Sequence, residues 1–414
     1  MKKELKNTTK KIIAGILILS AFTLPNLKAF AKNSRTLNTN TVQKAEKFPI
    51  IKFLTEAKIS KAQEKAFAIT NEMASTCPDH TIISQEVSSD RYYYAAKPTD
   101  LESDLDEAVK SGDLPIQNFT MEDLQKAKDS LNLNPEKNAK FLIEENFDAI
   151  KLHEKENCSD GDIVNLASQF NALESVSNRP TAVKYWAYDR TQGPYCALQS
   201  VAGTKHREAA HLQGKLADAL ADMLKNCKIN GKPITEKYPE LYKGGYLELM
   251  EITSEKDMET FLSFLEDENN LKNMKVLMQW VKCEGTGKKQ LQFFTAAPSF
   301  QSYSKSIWNS NSKIMNLRKK ACIKLIEIQY KAMAQAAAII SAYSGKNIKL
   351  HVCMVGHSVF NNPIETVHAA LKTLKEELSG VDATVFLQNR PGYPNIWEKG
   401  NPNKLGIKWK NFKK

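Results

Sequence analysis

The sequence predicts an α/β sandwich built on a mixed sheet. Two observations carry that prediction. The apolar runs at 161–167 and 348–355 have the length and composition of buried strands. Helical periodicity then alternates with such runs, placing Leu317, Ala321, Leu325 and Ile328 on one face and Ile364, Val367, Leu371, Leu374 and Leu378 on another. Strands alternating with helices pack as layers around one sheet. In such sheets a ligand sits beyond the carboxyl ends of the strands.

The 414 residues suffice for one large domain or two ordinary ones. Residues 1–31 read as a signal peptide. Lys2, Lys3, Lys10 and Lys11 precede an apolar run at 12–24, and Ala29-Phe30-Ala31 fits the small-residue cleavage rule. The run is short for a bilayer span, so cleavage leaves no stable membrane anchor; an uncleaved anchor is the other reading. Export to the periplasm or medium, or into a host cell, is the expectation. The seven cysteines are odd in number and scattered, with no CxxC pair, which fits neither a disulfide framework nor a zinc site. No metal is expected. The net charge of +11 favours anionic partners such as phosphates. No nucleic-acid motif accompanies it, so no nucleic acid is expected.

The elements follow in order. Residues 32–47 read as a flexible leader, and 59–73 as a helix. Tyr92-Tyr93-Tyr94 reads as a strand; 101–109 and 121–131 read as surface helices, the second capped by Thr120. These form a decorating layer over 92–138, or else a separate small helical domain. Strands are expected at 147–153, 161–167 and 245–250, with a helix carrying Leu212, Leu216, Leu220 and Met223 on one face. A helix at 253–265 starts at Ser254 or Thr253. Residues 275–281 and 290–296 form a hairpin around Gly285 and Gly287. The helix at 311–343 ends in an alanine-rich, buried half. After the strand at 348–355, a helix is expected with Asn362 as cap, Pro363 first and Glu365 closing a capping box. A strand at 383–387 follows, and the Gly-, Pro- and Lys-rich residues 389–414 read as a solvated basic tail.

Two stretches carry candidate chemistry. The first is 162–204. There an apolar strand gives way to Asn165, Ser168, Gln169 and Asn171, and later Asp189, Arg190, Thr191 and Gln192 lead into Gly193-Pro194 and the small residues to Gly203. Small residues let backbone approach a ligand. The second is the loop Gly356, His357, Ser358, Val359, Phe360, Asn361, placed to offer backbone N–H groups and a helix N-terminus to an anion. A plain turn explains either stretch alone. Neither is a P-loop or a GxGxxG fingerprint, GHSVF is not G-x-S-x-G, and His206 and His211 are poorly spaced as joint ligands. Trp280 ends an apolar strand and reads as core or as a stacking surface. Asp189 is the acid of interest, with a turn-capping or Arg190-pairing role as the alternative.

The order Leu152-His153, ASQFN-LE at 167–174, DRTQGP at 189–194, Cys196-Ala197, Ala202 to Thr204, Gly245 to Leu247, Gln279-Trp280, Gln290 and Ala297-Pro298 resembles a family of macrodomain-like ADP-ribosylarginine hydrolases, which occurs in eukaryotes and among bacterial effectors. The GHSVFNNP loop is similar to the diphosphate-binding loop of macrodomains. The resemblance implies a macrodomain-like three-layer sandwich over 92–388, preceded by a leader and helical region at 32–91. It implies ADP-ribose, or an ADP-ribosylated protein, as ligand and no cofactor. The implied reaction is hydrolysis of the N-glycosidic bond to arginine, with Asp189 in the family's acidic cluster. Other acids of that cluster are replaced here by Thr181, Gln199 and Val281. A catalytically inactive ADP-ribose reader or decoy is therefore the alternative.

Overall fold

In a computed structural model of the chain, the described residues are 47–76, 85–86, 92–93, 107–110, 114–144, 159–173, 200–283, 287–300, 312–357, 360–389 and 394–411. Contacts divide the chain into Met1–Pro49 and Ile50–Lys414, and the sheet lies in the second unit.

Among the described residues, seven strands form one sheet: β1 (Lys140–Glu144), β2 (Asp162–Ser168), β3 (Met278–Lys282), β4 (Lys289–Ala296), β5 (Ile348–Val352), β6 (Ala383–Gln388) and β7 (Trp409–Asn411). Their spatial order is β7-β1-β6-β5-β2-β4-β3. All neighbours are parallel except β3 and β4, the expected hairpin, so the sheet is mixed. β4 is buried at every residue after Lys289, as a strand covered on both faces must be.

Helices pack against both faces. The main ones are α1 (Pro49–Glu56), α2 (Lys61–Thr76), α3 (Met121–Asp129), α4 (Val201–Leu212), α5 (Glu255–Glu266), α6 (Lys313–Ser344) and α7 (Glu365–Glu377). Gln279 and Gln292 are paired across the hairpin, and Phe294 lies two residues on, so all three point to one face. Arg207 of α4 covers that face, with its guanidinium 4.3 Å from the Phe294 ring centre. α6 packs on β4, β5 and β6. Its Ile328 and Ala332 share a small cavity wall with Phe293 and Thr295, which alternate to the other face. The alanine-rich half of α6 is buried, as its composition predicts. α3 has the expected Thr120 cap, completed as a capping box by Asp123, and packs on α6.

Several expectations need correction. The sequence reading gives no strand at 140–144, where β1 lies; the strand expected at 147–153 lies outside the described residues. The helix after Gly203 stops at Leu212, which is exposed, and Leu216 lies in a non-helical stretch. Residues 245–250 give only the two-residue strand Tyr246–Leu247, paired with Tyr242–Lys243. α7 begins at Glu365 without a side-chain cap, because the Asn362 amide is turned to the Pro298 carbonyl at 2.7 Å.

The basic tail is also built in. β7 adds to the edge of the sheet. Trp397 is fully buried, and its indole N–H donates to the Gln388 carbonyl at 2.9 Å. A Cβ on Gly400 would come within 2.7 Å of Leu371, so the tail backbone lies directly on α7. Trp397→Phe keeps most of the ring volume but strips that carbonyl of its donor. It is expected to cost about 1–3 kcal/mol in urea unfolding; an unchanged midpoint and slope would return the tail to solvent.

One ionisable cluster lies inside the sheet. His351 on β5 is 1 % exposed. Its Nε2 is 3.1 Å from Asp162 Oδ2 on β2, and its Nδ1 is 3.7 Å from Glu144 Oε2 on β1, across β6. The second distance is too long for a hydrogen bond but short for an ion pair. The ring stacks on Phe386 of β6, 4.8 Å between centres. Burial alone would push the imidazole pKa down. Hydrogen bonding and charge from Asp162 and Glu144 outweigh burial, and the net shift is upward.

Candidate functional site

β5, β2 and β4 are neighbours and run parallel, so the loops at their carboxyl ends emerge together. Hydrogen bonds tie these loops into one rim. After β5, the Asn362 N–H donates to the Gly356 carbonyl at 2.9 Å and closes the loop on itself. That loop is fixed to the one after β4 by the Asn362 amide on Pro298 and by the Phe300 N–H on the Phe360 carbonyl at 3.1 Å. The hairpin at 242–247 bridges the remaining gap. Ser299 N–H donates to Leu247 O at 2.8 Å, Tyr246 packs edge-on to Phe360, and Phe170 N–H donates to Gly245 O at 3.0 Å.

Two glycines make this closeness possible. Gly356 has φ +85°, and a Cβ there would lie 2.6 Å from Ala297 Cβ. Gly245 has the same φ, and a Cβ there would lie 2.5 Å from the Asn171 side chain. Both positions need glycine for conformation and for space. Asn361 and Ala172 also have positive φ, 49° and 57°, which leaves strained backbone in both loops.

The candidate residues therefore divide. Ser168 ends β2, and Gln169, Asn171, Gly356, His357, Phe360 and Asn361 belong to the loops that form the rim. Within it Asn171 is largely spent. Its amide donates to Gly244 O at 3.1 Å and accepts from Leu173 N–H at 3.0 Å. Ser168 donates to the Gln169 carbonyl at 3.2 Å. Asn165 is not in the crevice. It is wholly buried, donates to Thr295 and accepts from the Cys353 thiol at 3.2 Å, so it ties β2 to both neighbours.

Trp280 is likewise removed from the crevice. It pairs with Leu291 near the start of β4, because antiparallel β3 carries its later residues to the far end of the sheet. Its ring is buried, and its N–H donates to Phe53 O at 2.9 Å. Val281 is at the same far end, opposite Gln290. Gly203 lies within α4 rather than in a loop. A Cβ there would lie 2.8 Å from Val281, so its smallness serves helix-on-strand packing. Asp189, Thr191, Gln192, Gly193, Ser358 and Val359 lie outside the described residues.

Among the described residues, His357, Glu248 and Arg207 contribute to the electrostatics of the rim. Burial, with Lys399 nearby, pushes the His357 pKa down to about 4, so the ring is neutral at ordinary pH. Burial raises the Glu248 carboxyl, and a hydrogen bond from Ser299 only partly offsets it. A half-buried carboxyl with a raised pKa is the type that acid catalysis uses. Arg207 donates to Ala172 O at 3.1 Å, Gln279 Oε1 at 2.8 Å and Thr204 Oγ1 at 3.2 Å, which pins the left-handed Ala172. Sequence reading missed Glu248, Arg207 and the Pro298–Ser299 link. Only Gly245 and Pro298 carried a local signal.

A groove among the described residues lies elsewhere. It has a volume of about 770 Å³ and runs between α3, α6 and α7, lined by alternating lysines and glutamates such as Lys324, Glu327, Lys331 and Glu376. No rim residue lines it. Among the described residues no group of His, Cys, Asp and Glu could hold a metal ion, and no helix is long and apolar enough to cross a membrane. Cys227 and Cys322 are buried; burial pushes the Cys227 thiol up to about 12 and that of Cys322 higher, so neither is a ready nucleophile. No protein-family model, curated protein or solved structure matches the chain.

Proposed function

We propose that the chain is an exported, macrodomain-like protein that binds ADP-ribose across the rim and hydrolyses its N-glycosidic bond to arginine. One observation carries the binding half. Loops from three neighbouring parallel strands are held together at their carboxyl ends, with Gly356 and Asn361 in left-handed conformations next to the start of α7. Such a loop can present backbone N–H groups to a diphosphate, and the helix dipole favours the negative charge. The motifs at 167–174 and 189–194 support the identity of the ligand and the reaction.

Calorimetry with free ADP-ribose tests binding, and release of ADP-ribose from an arginine-modified protein tests hydrolysis. Tight binding without release would assign the chain as a reader, which Thr181, Gln199 and Val281 in place of acids would favour. Gly356→Val is expected to weaken ADP-ribose more than tenfold, or by about 1.4 kcal/mol. The new side chain would collide with Ala297 and Asn362 and spread the loop. A folded Gly356→Val protein with unchanged affinity would place the ligand elsewhere.

A further inference from the structure

We infer that His357 recognises a ribose hydroxyl of the ligand through Nδ1; this rests on the ADP-ribose reading above. The hydrogen-bond chain beside it fixes the proton. The Thr366 hydroxyl is fully buried and lies 2.7 Å from the Pro363 carbonyl, which can only accept, so the hydroxyl hydrogen points there. His357 Nε2 is 2.8 Å from the same Thr366 oxygen. With its hydrogen already committed, that oxygen can only accept, so Nε2 carries the N–H. Burial keeps the ring neutral. Nδ1 is then a bare lone pair, and it has no hydrogen-bond partner among the described residues.

The chemistry of that lone pair selects its partner. A neutral acceptor repels phosphate oxygens, which at ordinary pH are also acceptors. It favours a group that brings a hydrogen, and ADP-ribose brings ribose hydroxyls. The loop thus divides its tasks. Backbone N–H groups meet the diphosphate, and the one imidazole reads a sugar. Thr366 acts as a positioning residue by fixing the tautomer, the role a second partner commonly plays for histidine.

Two substitutions separate this from a structural role. His357→Gln places an amide donor near Nε2, able to serve Thr366, but removes the acceptor at Nδ1. His357→Asn places an oxygen near Nδ1 but cannot reach Thr366. Calorimetry with ADP-ribose should show His357→Gln weakened about tenfold and His357→Asn within about threefold of wild type. His357→Asn, not His357→Gln, should lose thermal stability. Nitrogen-15 NMR of the wild-type imidazole at neutral pH should show protonated Nε2 and unprotonated Nδ1, with the Nδ1 signal moving when ADP-ribose is added. The reverse affinity order, equal affinities, or a protonated Nδ1 would overturn the assignment. Wild-type protein that binds no ADP-ribose would overturn the ligand reading itself, and this inference with it.

Discussion

Asp189→Asn should fold as wild type, bind ADP-ribose with little change and release it from arginine about 10²–10⁴ times more slowly. The bond to be broken joins the anomeric carbon of ribose to a guanidine nitrogen. The leaving group is cationic while attached, so a carboxylate can hold it by charge-assisted hydrogen bonds. The same carboxylate can help water reach the anomeric carbon. Asp189 is the acid that the DRTQGP motif supplies. Asparagine keeps the size and one acceptor but loses the charge and the basicity. Equal activity in the variant would move the acid elsewhere. Glu248, with its raised pKa at the rim, is then the residue to replace next.

His351→Leu should cost about 3–5 kcal/mol of folding stability near neutral pH, the usual result of removing one partner from a buried charged group. The leucine would leave Glu144 and Asp162 facing each other across the buried interior of β5 and β6 with no cation between them. The pH dependence has a definite sign. The folded imidazole pKa is raised above its ordinary value of about 6.5, so its stabilisation is complete below that value and is lost as pH rises through the folded pKa. The stability gap between wild type and His351→Leu should therefore be widest near pH 6 and narrow on the alkaline side. Urea unfolding at several pH values checks this. A gap that is constant, or that widens as pH rises, would contradict an imidazolium at this position.

The sequence and the structure agree where local periodicity and tertiary packing ask for the same thing. α6, the β3–β4 hairpin and the Thr120 cap are such cases: each is encoded within a few turns or one short turn. They diverge where a side chain is used over a long distance. Asn165 reads as a ligand amide because it interrupts an apolar strand, yet its partners Thr295 and Cys353 lie 130 and 188 residues away. Asn362 has the residue type and position of a helix cap, but the Pro298 carbonyl takes its amide. Trp280 depends on strand direction, which hydrophobic alternation does not specify. The tail reads as solvated because its anchors, Trp397 and Ile407, are few among glycine, proline and lysine. Arg207 and Glu248 carry no motif. Their importance comes only from what the fold sets beside them.

On the proposed reading, ADP-ribose binds at the carboxyl ends of β5, β2 and β4. A structure of the chain with ADP-ribose is the decisive experiment. The diphosphate should lie against the backbone of residues 356–361, within the rim closed by 169–173 and 297–300. ADP-ribose in the groove between α3, α6 and α7, or none at saturating concentration, would contradict it.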